Sequence, residues 1–111
     1  MSIFPRRGEI YWVKLDPAIG TETKKTRSSL IVSNDVGNEV SSRVIVAPIT
    51  SKTNKVYPFE AEIEFNQKQC KVMLDQIRVI DKRRLGGKII ELSNTEMKDV
   101  NASLKLVLGL D

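Results

Sequence analysis

The sequence contains no histidine and a single cysteine. The missing histidine removes Ser-His and Cys-His triads, histidine metal sites and ribonuclease chemistry run by a histidine pair. A lone thiol cannot form an internal disulfide, which suits a reducing cytoplasm. It also leaves too few ligands for a common zinc site. We therefore expect neither a metal nor a cofactor. Without a histidine base, Cys70 reads as a small apolar strand residue rather than a nucleophile. Any enzyme here must work with Arg, Lys, Thr, Ser, Tyr, Asp or Glu. Long apolar runs are absent too. The longest, Val44 to Ile49, is strand-sized and too short to cross a membrane. The opening MSIFPRRGEI has no apolar core and no small-residue cleavage site, so no signal peptide is expected.

What is present fits one domain spanning residues 1–111, with 41% apolar residues to supply one modest core. Net charge is +4, unevenly spread. Residues 1–57 carry nine Lys or Arg against five Asp or Glu, and residues 58–111 carry nine of each. Much of the excess falls in two polar segments, one with Lys24, Lys25 and Arg27, the other with Lys52 and Lys55. Clustered loop cations suit a polyanion such as nucleic acid, and equally a plain solvated surface.

β-Formers predict a strand over Glu9–Leu15, ended by Asp16-Pro17. Residues 17–27 read as a long polar loop, a length that is often functional. Leu30-Ile31-Val32 begins a second strand, with turn chemistry at Asn34-Asp35 and Gly37-Asn38. Arg43–Ile49 is a third strand whose consecutive apolar residues imply cover on both faces, with a bulge or strand end at Pro48. Residues 51–58 form a second basic loop. Phe59–Phe65 alternates cleanly, so Glu60, Glu62 and Glu64 read as one solvated face. Gln69–Leu74 and Gln76–Ile80 are strand-like. Asp81–Leu85 reads as a helical turn stopped by Gly86-Gly87, with a last short strand from Ile89. Ser93 or Asn94 caps a C-terminal helix, Glu96 completes a capping box, and Met97, Val100, Leu104 and Val107 or Leu108 form its apolar stripe. Short strands followed by one packed helix describe a β-rich α+β fold, a curled sheet or barrel.

The parts come in a telling order: RGEIYWVKLDP, IGTETKKTR, SLIVSND, VGN, VIVAPITS and LDQIRVIDKRRL. This order resembles the MazF/PemK family of toxin ribonucleases, from about Arg7 to Leu108. Members typically show R-G-[DE]-[IV]-[YW] near the start, a V-x-P-[IL]-T-S-like strand end and L-x-Q-[IV]-R. The resemblance implies a small SH3-like barrel with a C-terminal helix, working as a homodimer. It implies sequence-selective cutting of single-stranded RNA to 2′,3′-cyclic phosphate and 5′-hydroxyl ends. It also implies silencing by a cognate antitoxin that lays an acidic, partly disordered tail over the basic groove. The family's loop arginine matches Arg27 and its strand-closing threonine matches Thr50. The family arginine is usually followed by proline, whereas Ser28 follows here.

That pair is chemically sensible. Internal RNA cleavage uses the substrate's own 2′-hydroxyl as nucleophile, so neither a protein nucleophile nor metal-activated water is needed. A guanidinium offers planar bidentate donors to the charge that grows on the phosphoryl oxygens. The pKa of arginine, above ~12, suits it to electrostatic anchoring rather than proton transfer. Thr50 can donate and accept, and so can hold the phosphate or relay a proton. Glu22 is the first candidate base, against a solvated loop carboxylate. Lys24, Lys25 and Lys52 are either phosphate contacts or solvated charges. Ser51 either adds a phosphate contact or caps a turn. Gln76 and Arg78 either line the RNA groove or, for Gln76, make a structural hydrogen bond. Trp12 and Tyr11 can stack bases, though their strand position favours the core or a dimer interface. Two other functions stay in view: a same-fold toxin that poisons gyrase, and a barrel that binds RNA without cutting it.

Overall fold

A sheet buried on both faces explains the runs of consecutive apolar residues. The computed structural model describes residues 3–15 and 26–110. Its elements run in the order β1 (Glu9–Lys14), β2 (Thr26–Ile31), α1 (Asp35–Val40), β3 (Arg43–Thr50), β4 (Glu60–Phe65), β5 (Lys68–Met73), β6 (Arg78–Asp81), β7 (Leu85–Glu91) and α2 (Asn94–Leu108). Single 3₁₀ turns at Leu74–Gln76 and Lys82–Arg84 flank β6. The strands form a curled antiparallel sheet in the order β4-β5-β3-β2-β1-β7, with β6 also paired to β3.

Adjacent strand residues point to opposite faces, and each face has its own core. One gathers Ile10, Leu30, Ala47, Ile49, Ile63, Val72 and Leu74 beneath Val100 of α2. The other gathers Val13, Leu15, Ile31, Val44, Val46 and Ile80. Leu30 and Ile31 thus serve different cores, as the double cover expected from the sequence requires.

Several local expectations are corrected. Arg27 is not a loop residue: β2 begins at Thr26 and pairs Arg27 with Val13 of β1. The Asn34–Asn38 turn residues instead start a helix. Asn34 caps α1 by accepting from the Gly37 amide at 2.9 Å. The buried Asn38 carboxamide bonds the Ser33 hydroxyl and donates to the Ser33 carbonyl at 2.8 Å. Pro48 neither ends nor bulges β3. It sits where one edge of that strand changes partner, from β6 at Val46 to β5 at Ile49, so its missing amide breaks no ladder there.

Gly86-Gly87 does not stop the chain either, because β7 runs through both residues. Between the Tyr11↔Lys88 and Val13↔Leu85 pairs they stand together opposite Trp12 alone, which makes a β-bulge. Glu60 departs from the solvated face of β4. It is buried and paired with Lys71 at 2.9 Å, while Glu62 and Glu64 are exposed.

The Arg7-Gly8 pair just before β1 has a structural task. Gly8 adopts φ +96°, which L side chains rarely reach. From there its amide bonds the Ile31 carbonyl and its carbonyl accepts from the Leu92 amide, both at 2.9 Å. Arg7 ties three elements together, through Nε to the Val32 carbonyl (2.8 Å), Nη2 to Asn101 of α2 (2.7 Å) and its amide to Asp35 of α1 (2.7 Å). Of the two candidate caps for α2, Ser93 serves. Its hydroxyl accepts from the Glu96 amide while Glu96 accepts from the Ser93 amide. No helix among the described residues is long and apolar enough to cross a membrane.

Candidate active site

Where β2 begins, β3 ends and the β4–β5 hairpin turns, the sheet forms an open cleft of about 340 Å³. Arg27 and Ser28 enter from β2, Thr50 and Ser51 from the end of β3, and Trp12 from β1. Phe65, Asn66 and Lys68 enter from the hairpin, and Cys70 from β5. The two residues singled out from the sequence therefore meet in one cavity, 23 positions apart along the chain.

The hydrogen-bonding state of this pair is informative. The Arg27 Nε is buried and has no partner among the described residues. A buried donor left unpaired is costly, so an acceptor brought into the cleft would recover that cost. Thr50 Oγ1 accepts from the Lys52 amide at 3.2 Å, which leaves its hydroxyl proton able to donate. The same bond fixes the chain as it leaves β3, though Lys52 itself does not line the cavity.

A salt-bridged clamp holds the segment that follows. Lys71, paired across the ladder with Thr50, donates to Glu60 Oε1 at 2.9 Å and to the Lys55 carbonyl at 2.7 Å. Glu60 Oε1 also accepts from the Tyr57 amide at 2.9 Å. Tyr57 stacks on Phe59 with ring centres 5.1 Å apart, and the Lys55 ammonium lies 4.9 Å from the Tyr57 ring centre. The 51–58 segment is thereby pinned to β5.

A second knot sits under β1. Glu9 accepts from the Arg6 amide (2.7 Å), the Tyr11 hydroxyl (2.9 Å) and the Lys88 ammonium (2.7 Å). Burial pushes the Glu9 carboxyl up, but these donors together outweigh it and hold it below the usual carboxylate range. Burial first, then the bond to Glu9 and its charge, push the Tyr11 phenol from about 10 up to about 12. Burial likewise raises the Cys70 thiol, with the nearby Lys68 charge opposing. A raised thiol is a poor nucleophile, in keeping with a strand residue.

Not every candidate converges on the cleft. Arg78 Nη1 donates to the Leu15 carbonyl at 3.1 Å, and Gln76 Nε2 lies 3.5 Å from the Met73 sulfur. Neither lines the cavity. Glu22, Lys24 and Lys25 lie outside the described residues. Of the two packed positions expected for Trp12, core or dimer interface, the core is excluded within the chain, since Trp12 is 48% exposed on the cleft wall. Phe65, Asn66 and Lys68 were not anticipated. The alternating run ending Phe65-Asn66-Gln67-Lys68, with a strand directly after, carried the signal of a tight hairpin beside Thr50's strand.

The family model for the PemK-like, MazF-like toxin of type II toxin–antitoxin systems matches residues 6–108. A relative named endoribonuclease MazF, from Staphylococcus saprophyticus, is 42% identical over 110 residues, covering 95% of this chain and 92% of that one. Among solved structures, MazF from Deinococcus radiodurans superposes with a TM-score of 0.85 at 27% identity, covering 98% of this chain and all of that one. An endoribonuclease solved in complex with its cognate antitoxin, from a mycobacterial species, gives 0.81 at 26% identity, covering 96% of this chain and 97% of that one.

Proposed function

Because the chain belongs to the PemK-like, MazF-like toxins of type II toxin–antitoxin systems, as a MazF-type endoribonuclease, we propose that it cuts single-stranded RNA through the substrate's 2′-hydroxyl, leaving 2′,3′-cyclic phosphate and 5′-hydroxyl ends. One observation carries the reading: Arg27, whose buried Nε has no partner among the described residues, lines the same cleft as Thr50.

Arg27 anchors the scissile phosphate, and its donors gain strength as negative charge grows on the phosphoryl oxygens. Thr50 donates its hydroxyl proton to the same phosphate and keeps it in line. Ser51 adds a contact beside it. Glu22 takes the proton from the 2′-hydroxyl, whose oxygen bonds the phosphorus as the bond from phosphorus to the 5′-oxygen breaks, and the leaving 5′-oxygen takes up a proton from water. No protein nucleophile, metal or cofactor is called on. Lys24, Lys25 and Lys52 neutralise flanking phosphates, and Gln76 and Arg78 border the RNA path. Ser28 stands where the family has proline. Its place within the β2 ladder, opposite Trp12, supplies backbone order that proline's fixed φ would otherwise give.

The protein works as a cytoplasmic homodimer in which residues 1–111 fold as one domain of each subunit. Its partner is an antitoxin whose acidic tail covers the cleft. The basic surplus of the first half of the chain supports that partner's charge. The test is incubation with single-stranded RNA in EDTA, followed by end-group analysis. Cyclic phosphate and 5′-hydroxyl ends are expected. Cleavage that requires Mg²⁺ and leaves 5′-phosphate ends would overturn the mechanism.

A further inference from the structure

Trp12 is the chain's single tryptophan, and it stands 48% exposed next to the buried Val13. Burying so large an aromatic is ordinarily favourable, so its exposure needs a cause. The strand opposite provides one. Gly86 and Gly87 form the bulge facing Trp12, and a Cβ at Gly86 would lie 3.2 Å from both the Trp12 Cβ and its carbonyl oxygen. The glycine bulge thus lets β7 close against the Trp12 backbone while the indole stands on the cleft wall. Bulges beside active sites commonly re-aim a side chain in this way.

The β4–β5 hairpin forms another wall. Phe65 pairs with Lys68, so Asn66 and Gln67 make the whole turn, both left-handed at φ 53° and 60°. Asparagine tolerates that conformation better than most residues. A two-residue turn between paired strands is stiff, and it holds the Asn66 side chain at the cleft. Ile49 and Phe65 add apolar lining.

We propose that Trp12 and Asn66 form a nucleobase-recognition subsite, in which a base adjoining the scissile phosphate stacks on the indole and Asn66 hydrogen-bonds its edge. This rests on the ribonuclease reading of Arg27 and Thr50. A phosphate held by that pair brings the bases flanking it within reach of the same cleft. An exposed indole binds any base by its face, as in single-strand recognition generally. A carboxamide carries one donor and one acceptor side by side, and so selects bases offering a matching pair, such as the adenine N6/N7 edge. Stacking supplies affinity and Asn66 supplies selectivity.

A randomised RNA pool is first cut in EDTA and the cleavage sites are sequenced. No cutting at all would remove the ribonuclease reading itself. Given cutting, the best-cleaved sequence is made with a 2′-deoxy nucleotide at the cut, so that it binds intact. Titrating it against the whole protein should quench Trp12 fluorescence saturably. Asn66→Ala should lower discrimination at one base position by about tenfold. Trp12→Ala should raise KM about tenfold, and Trp12→Phe, which keeps a smaller aromatic face, should raise it by less. Binding seen by anisotropy of a labelled oligonucleotide with no change in Trp12 emission would overturn the stacking. An unaltered cleavage-site preference in Asn66→Ala would overturn the recognition by Asn66.

Discussion

Lys71→Met should destabilise the protein far more than an ordinary surface substitution. The Lys71 and Glu60 side chains are only 11% and 6% exposed, so solvent does little to screen their charges. Methionine keeps the aliphatic stem but removes the ammonium. Among the described residues the Glu60 carboxylate would then stay buried with only the Tyr57 amide as donor, and the Lys55 carbonyl would lose the Lys71 ammonium. Leaving one member of a buried pair uncompensated costs about 3–5 kcal/mol. A domain of this size has roughly 5–15 kcal/mol in all. The melting temperature should accordingly fall by roughly 10–20 °C. Adding Glu60→Gln removes the stranded charge, so the double variant should recover at least about 1 kcal/mol over the sum of the single changes. Urea unfolding followed by far-UV circular dichroism measures all four proteins. If Lys71→Met lies within about 1 kcal/mol of wild type, the clamp contributes nothing of the kind argued.

Three further outcomes follow from other contacts. Tyr11→Phe should change the pH dependence of stability at alkaline pH. Because the folded phenol is raised to about 12 from about 10, its contribution is complete below pH 10 and lost as pH rises towards 12. The urea midpoint of wild type should therefore fall more steeply than that of Tyr11→Phe across that window, and parallel curves would refute the linkage. Gly86→Val puts a branched side chain against the Trp12 backbone, 3.2 Å away at its first carbon. It should cost about 1–3 kcal/mol and shift the Trp12 emission maximum, both read in one fluorescence melt. Lys52→Ala should weaken RNA binding alike for all sequences and reduce the slope of log K against log salt by about one, as measured by anisotropy.

The hydrophobic pattern made most of the sheet legible. The alternation of Phe59–Phe65, the double-faced run of Val44–Ile49 and the Ser93 capping box all reappear as β4, β3 and α2. What escaped depends on contacts distant in sequence. Thr26 and Arg27 looked like loop because their polar side chains carry no strand period, yet the β1 ladder holds them as strand. Gly86-Gly87 looked like a stop because a bulge is defined only by its partner strand. Glu60 looked like Glu62 and Glu64 until Lys71 was placed across from it. Arg27 and Thr50 were readable through family resemblance, whereas Trp12 and Asn66 were brought to them by tertiary geometry.

The central claim is that the Arg27 guanidinium stabilises the transition state of RNA cleavage. The most direct measurement compares wild type with Arg27→Ala on the best-cleaved single-stranded RNA, under single-turnover conditions in EDTA, with circular dichroism confirming that both are folded. Losing one preorganised donor group of this kind costs about 10²–10³ in rate, and that is the predicted loss. Cleavage by Arg27→Ala within about tenfold of wild type, with the same cyclic-phosphate product, would contradict the account.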